Sequence, residues 1–272
     1  MAKSKFTRQN VKSDIMEKVL IRIDYEGVSD INNLIINVKK KWSEYFSGYI
    51  KVTKNNYNIN VTDLTLQNKT IDISDPEKQI IHRFTECKVG NPNTYMDINE
   101  RFAYIDVIAG KNYVGTQQYT NIMSEFIVEL LKYDSFISLT RVAIRKIDRI
   151  EKPLEEDPDM IVETPIFGIY KKENRSPIKK RYSDFMKLND VDSIVNIVRD
   201  ISFLKKNNGE VVQQIILDMD IYKQGQKQIC INQSSRISDI KNVLEKKLND
   251  PLFQLYIETF KESFIDKFYN HG

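Results

Sequence analysis

Apolar side chains at Ile31, Leu34, Ile35, Val38, Trp42, Tyr45 and Phe46 recur at helical spacing. Asn33, Asn37, Lys40, Lys41 and Glu44 fill the other side, so the pattern predicts an amphipathic helix with Ser29 as N-cap and Gly48 as its end. A β-branched and aliphatic run at 19–24 (VLIRID) precedes it and reads as a buried strand. Beyond residue 49 the period changes from about 3.6 to 2. Tyr57, Ile59 and Val61 alternate with Asn58, Asn60 and Thr62, and the Asn55-Asn56 turn signal suggests a hairpin of 49–53 with 57–64. Further strands are expected at 69–73, 79–85, 94–98 and 101–108. A second amphipathic helix follows over about 116–133, carrying Tyr119, Ile122, Met123, Phe126, Ile127, Leu130 and Leu131 on one side.

The segment 139–150 (LTRVAIRKIDRI) then alternates again. As a strand it sets Val142, Ile144 and Lys146 on one face and Arg141, Ala143 and Arg145 on the other. Residues 200–206 and 211–222 flank Asn207-Asn208-Gly209-Glu210, a strong hairpin signal. A strand at 228–232 and two helices complete the chain. The first helix is 240–248, capped by Ser238. The second starts at Asp250-Pro251 and bears Phe253, Tyr256, Ile257, Phe260, Phe264 and Phe268.

This order predicts an α+β fold: mainly antiparallel sheet with amphipathic helices packed on one face. A strand ending in Asp linked to an aromatic helix recurs in 19–50 and 211–268, so two related halves are expected. The expected organisation is a basic tail at 1–14, an α+β half at 15–152, a charged surface excursion at 153–182 and a second α+β half at 183–272.

Composition narrows the class further. Of 272 residues 41% are hydrophobic and 29% charged, which suits a folded chain. A net charge of +3 exerts no global pull toward nucleic acid or anionic lipid. Cys87 and Cys230 are too few for a disulfide framework. No run approaches the roughly 18 apolar residues of a membrane span, and the first residues lack a signal-peptide core, so a cytoplasmic protein with no membrane partner is expected.

Four motifs together carry a resemblance: VLIRIDY at 19–25, RVAIRKIDRI at 141–150, LDMDIY at 217–222 and LNDPLFQLYIETFKESFIDKF at 248–268. The chain resembles a sporadically distributed family of uncharacterised bacterial α+β proteins whose signature strand reads roughly R-x-G-L-R-Y-I-N-R-I. Arg141, Arg145, Asp148 and Arg149 stand in that pattern. Ala143, Lys146 and Asp148 depart from it, replacing glycine, an aromatic residue and asparagine. The resemblance implies no established activity, and the family's patchy distribution implies bacterial defence or phage–host conflict.

Candidate chemistry is sparse. His82 and His271 form no zinc-site spacing. Gly110-Lys111 lacks the earlier glycine and the following Ser or Thr of a phosphate loop. Asp75, Glu86 and Lys88 follow a nuclease-like order, but E-x-K triplets arise by chance in so Lys-rich a chain. Asp218 and Asp220 share a strand face, where a structural cross-strand cluster with Arg141 and Arg145 is the better reading than catalysis. Lys171, Lys172, Arg175, Lys179, Lys180 and Arg181 form a basic run flanked by Tyr170 and Tyr182, the candidate nucleic-acid contact. The aromatic stripe after Phe253 is core, with a share left for a homodimer or partner surface. The function expected is a binding or adaptor protein that is not an enzyme, needs no cofactor or metal, and acts through a protein partner. A nucleic-acid-binding factor is the alternative, and a metal-dependent nuclease a more distant one.

Overall fold

The computed structural model describes residues 6–7, 15–56, 59–62, 70–73, 77–109, 113, 115–153 and 179–268. Nine of the described strands form one antiparallel sheet, in the order β2-β5-β6-β7-β1-β8-β11-β10-β9. Its centre is the pair β1 (Met16–Glu26) and β8 (Ser138–Pro153). On one side lie β7 (Phe102–Ile108), β6 (Tyr95–Ile98), β5 (Glu77–Cys87) and β2 (Phe46–Asn56). On the other lie β11 (Val211–Gln224), β10 (Ser193–Lys205) and β9 (Lys179–Leu188). A separate pair joins β3 (Ile59–Thr62) to β4 (Thr70–Ile73).

The alternation that marked the strands decides which side is buried. Val19, Ile21, Ile23 and Tyr25 of β1 lie opposite Lys146, Ile144, Val142 and Leu139 of β8, and all are buried. Ala103, Ile105 and Val107 of β7 join them, as do Leu217, Met219 and Ile221 of β11. Two helices contribute to the same core. In α1 (Ile31–Trp42) the buried residues are Ile31, Leu34, Ile35, Val38 and Trp42. In α2 (Gln117–Tyr133) they include Tyr119, Ile122, Met123, Phe126, Ile127, Leu130 and Leu131. Trp42 binds these parts together: its Nε1–H donates to Met96 Sδ at 3.2 Å, and its ring meets Phe126 edge-on at 5.9 Å.

Several local expectations change. Asp30, not Ser29, caps α1, its carboxylate accepting from the backbone N–H groups of Asn32 and Asn33. The helix stops at Trp42 because the chain turns at once into β2, and Gly48 lies within that strand. There a Cβ would collide with Thr85 Oγ1, so the glycine serves close strand approach. The strand at 46–56 pairs with β5 rather than with 59–62, which replaces the predicted hairpin. The Asn-Gly hairpin does form between β10 and β11, with Gly209 at φ +86°. Residues 228–232 are not a strand. Gly225, at φ +78°, ends β11 and opens one helical turn, α3 (Gln226–Ile229).

The C-terminal helices also differ from expectation. They form one continuous run: α4 (Ile237–Asn242), a π-helical stretch (Val243–Asn249) and α5 (Asp250–Thr259). Arg236, not Ser238, is the N-cap. Pro251 falls early in α5 without an N–H to give, and the turn before it widens so that the Asp250 N–H reaches Glu245 O, five residues back. The run breaks at Phe260, which is extended, before α6 (Glu262–Ile265).

Because Trp42 is fully buried and holds both a helix and a strand, Trp42→Ala is expected to cost about 3–5 kcal/mol, read from the urea midpoint at unchanged slope.

Candidate interaction face

The other face of the sheet is polar and half-exposed. The register sets Leu20, Arg22 and Asp24 of β1 beside Asp106, Tyr104 and Phe102 of β7, and beside Arg145, Ala143 and Arg141 of β8. Across β8, Arg145 lies opposite Asp220, and Ile147 opposite Asp218. The arginines then lean along the strand. Arg145 makes a two-pronged bond to Asp218, Nε to Oδ1 at 2.7 Å and Nη2 to Oδ2 at 2.5 Å. Arg141 passes over the Tyr222 ring, 4.5 Å from its centroid, to reach Asp220 at 2.6 Å. The four side chains singled out on opposite strands thus form one structural cluster.

The same chemistry repeats elsewhere on this face. Arg22 pairs with Asp24 and lies 4.9 Å over the Phe102 ring. Arg149 pairs with Glu17 at 2.9 Å. Arg83 grips Asp97 with Nε at 2.7 Å and Nη2 at 2.8 Å, while Tyr104 Oη donates to Asp97 at 2.6 Å. Next to it Tyr95 Oη donates to Asp106, which also pairs with Lys18. Burial and then the bond to Asp106 push the Tyr95 hydroxyl up to about 12. Burial and then the bond to Asp97 raise Tyr104 further, so both phenols stay protonated donors at neutral pH. Bonding to Asp218 raises Arg145, while Asp220 is raised by burial against the opposing pull of Arg141 and Arg145. On this part of the face arginine, tyrosine and carboxylate are matched to one another.

Toward the end of β1 the face opens into a cleft of about 570 Å³, lined by Arg22, Asp24, Tyr25, Phe102 and Thr140 among others. The β6–β7 turn shapes it: Asn99 Oδ1 accepts from the N–H groups of Arg101 and Phe102, and Tyr25 Oη donates to Asn99 O at 2.5 Å. At the far side of the sheet Phe185 of β9 shares this face and is 69% exposed.

Other candidates fare differently. Lys171, Lys172 and Arg175 lie outside the described residues, as do Asp75, Gly110, Lys111 and His271. Lys179, Lys180 and Arg181 begin the edge strand β9, so these three belong to the sheet rather than to a loop, and Arg181 is exposed opposite Asp200. Glu86 and Lys88 take structural roles: Glu86 accepts from Ser47 Oγ, and Lys88 Nζ donates to Ser43 O at the end of α1. His82 is buried, stacked on Tyr49 and hydrogen-bonded to its hydroxyl at 2.7 Å. Burial, then the charges of Lys51 and Lys39, push its pKa down. Among the described residues no cluster of three or more His, Cys, Asp or Glu is arranged to hold a metal. None of the described helices is long and apolar enough to cross a membrane.

Asp148 does not join the arginines. It sits on the core face with Lys146, and both are buried. The signal was present in the sequence, since alternation sets residues 142, 144, 146 and 148 on one side.

No protein-family profile and no curated protein matches the chain. Among solved structures, the crystal structure of DynU16, from the dynemicin biosynthetic locus, aligns over 90% of this chain and 100% of its own, at 8% identity and a TM-score of 0.21. At that score the likeness carries no argument. The geometry itself sets a test of which pairs are structural. Asp97 is fully buried, so Arg83→Ala leaves its carboxylate without a countercharge, held by the Tyr104 hydroxyl, and is expected to cost about 3–5 kcal/mol. Arg145 is 45% exposed, so Arg145→Ala is expected to cost about 1 kcal/mol or less by the same urea titration.

Proposed function

We propose that this chain is a non-enzymatic binding protein that engages a folded protein partner on the open face of its sheet. The observation that carries this is the saturation of the arginines. Arg22, Arg83, Arg141, Arg145 and Arg149 are each ion-paired to an acid. Phosphate recognition needs cations available to displace counterions, and these five are committed within the fold. What remains on offer is arginine, tyrosine and phenylalanine surface on a rigid platform, the residue types enriched at protein interfaces. Half-buried Leu20, Ile147 and Val198 add apolar area between the charges. Bacterial defence or phage–host conflict is the setting that the family resemblance adds to this reading.

The test uses Phe185 and Tyr222, which share the face and hold no ion pair of their own. Affinity purification of the tagged wild-type chain from its host is expected to yield one protein in stoichiometric amount. Phe185→Ser with Tyr222→Ser is expected to lower that recovery more than about tenfold. Nuclease-sensitive nucleic acid in place of a protein, lost steeply as salt rises, would sink the proposal and move the basic residues 171–181 to the front.

A further inference from the structure

The geometry points to self-association: two copies of the chain pair across a two-fold axis, Phe136 of each entering the cleft of the other and stacking on Arg22. Phe136, in the turn between α2 and β8, is 84% exposed, more than any other large apolar side chain among the described residues. Single exposed apolar residues are common and by themselves call for no explanation. This one is held out on a turn braced from three sides. Its own N–H donates to Asp134 Oδ1 at 2.9 Å, and the Ile137 N–H reaches Asp134 O. From a separate loop Gln233 Nε2 donates to Ser135 O at 2.9 Å and to Ile137 O at 3.0 Å. On the third side lies Gly27, where a Cβ would stand 2.5 Å from Phe136 O. Ile137 and Leu139, both buried, anchor the residues that follow. The ring is thus presented on a backbone with little freedom left to lose on association, which favours an anchor.

The same contacts put the ring beside the cleft. Gly27 and Thr140 line it, and the β1–β8 register sets Tyr25 opposite Leu139 and Glu26 opposite Ser138. Its volume of about 570 Å³ is within the range of sites that admit an organic group. Inside, a stack is left unfinished. Phe102 lies on Tyr104, ring centroids 5.7 Å apart, and Arg22 lies over Phe102 at 4.9 Å. Asp24 Oδ1 fixes the guanidinium through Nε at 2.8 Å and Nη2 at 2.7 Å, yet the Arg22 side chain is still 41% exposed. A flat cation held on one ring and open to the cleft can take a second ring on its free side. Phe136 is such a ring, at the rim of the cleft itself.

A knob and a hole on one surface suit a two-fold pairing, since residue i of one copy then meets residue j of the other and j meets i. Each pairing therefore seats two phenyl rings. Charge permits it. The cleft carries three acids, Asp24, Glu26 and Glu100, against two arginines, Arg22 and Arg101, so two such ends meet with little repulsion. Phe185 lies at the far side of the sheet, so the pairing goes beyond the partner contact proposed above and leaves room for it.

Sedimentation equilibrium of the purified full chain reads this without a host partner. A reversible dimer is expected over about 1–100 μM. Phe136→Ser and Arg22→Ala are each expected to weaken it more than about tenfold. An equimolar mixture of these two variants is expected to associate more tightly than either alone, because the intact ring of one meets the intact cleft of the other. A wild type that stays monomeric, a dimer indifferent to Phe136→Ser, or a mixture no tighter than its components would each overturn the pairing. Should Arg22→Ala fail to fold, Phe136→Tyr and Phe136→Leu decide the stacking. The first is expected to keep the dimer and the second to lose it, and equal dimers overturn it. A monomer that loses a co-purifying host protein on Phe136→Ser also overturns the self-pairing, and assigns this end of the sheet to that partner.

Discussion

The pairing of β1 with β8 is the constraint on which the rest depends. Once Ile21 lies opposite Ile144, alternation sends Val19, Ile23, Val142 and Lys146 to the core, and Leu20, Arg22, Arg141 and Arg145 to the open face. A slip of one residue would exchange the two sets, burying the arginines under the helices. The strands on either flank inherit the same division through β7 and β11. One register thus creates both the apolar bed for the helices and the arginine–carboxylate face.

The two faces answer the same problem in different ways. Under the helices, apolar side chains leave water and need no partner beyond close packing, as around Trp42 and Phe126. On the open face, charge is held near the protein surface by matching five guanidinium groups to acids. Where that matching goes deepest, at Asp97 and Asp106, two tyrosines and a lysine join it. The exposed pairs add little stability, but they neutralise the face and hold its side chains in fixed places.

Asp148 breaks the division, since the register sends an acid to the apolar side. It is buried with Lys146 on the same face, and its charge is felt by Tyr113. An ionised carboxylate is costly there, and burial accordingly pushes the Asp148 carboxyl up to about 7.

Much of this was legible in the order of residues. Local periodicity marked α1, α2 and most strands, because a face that meets the core must be apolar at the period of its own element. It also put Arg141 with Arg145 and Asp218 with Asp220, since residues two apart in a strand share a face. Local pattern was silent wherever the partner lay far along the chain. It could not say that 46–56 pairs with 77–87, that β9 forms an edge, or that Pro251 would be absorbed by a widened turn rather than start a new helix. The sequence by itself determined which side of each element is apolar. Only the tertiary structure decided which strands meet and that Arg141 and Arg145 find Asp220 and Asp218, because those outcomes depend on contacts between residues more than 70 positions apart rather than on neighbours in the chain.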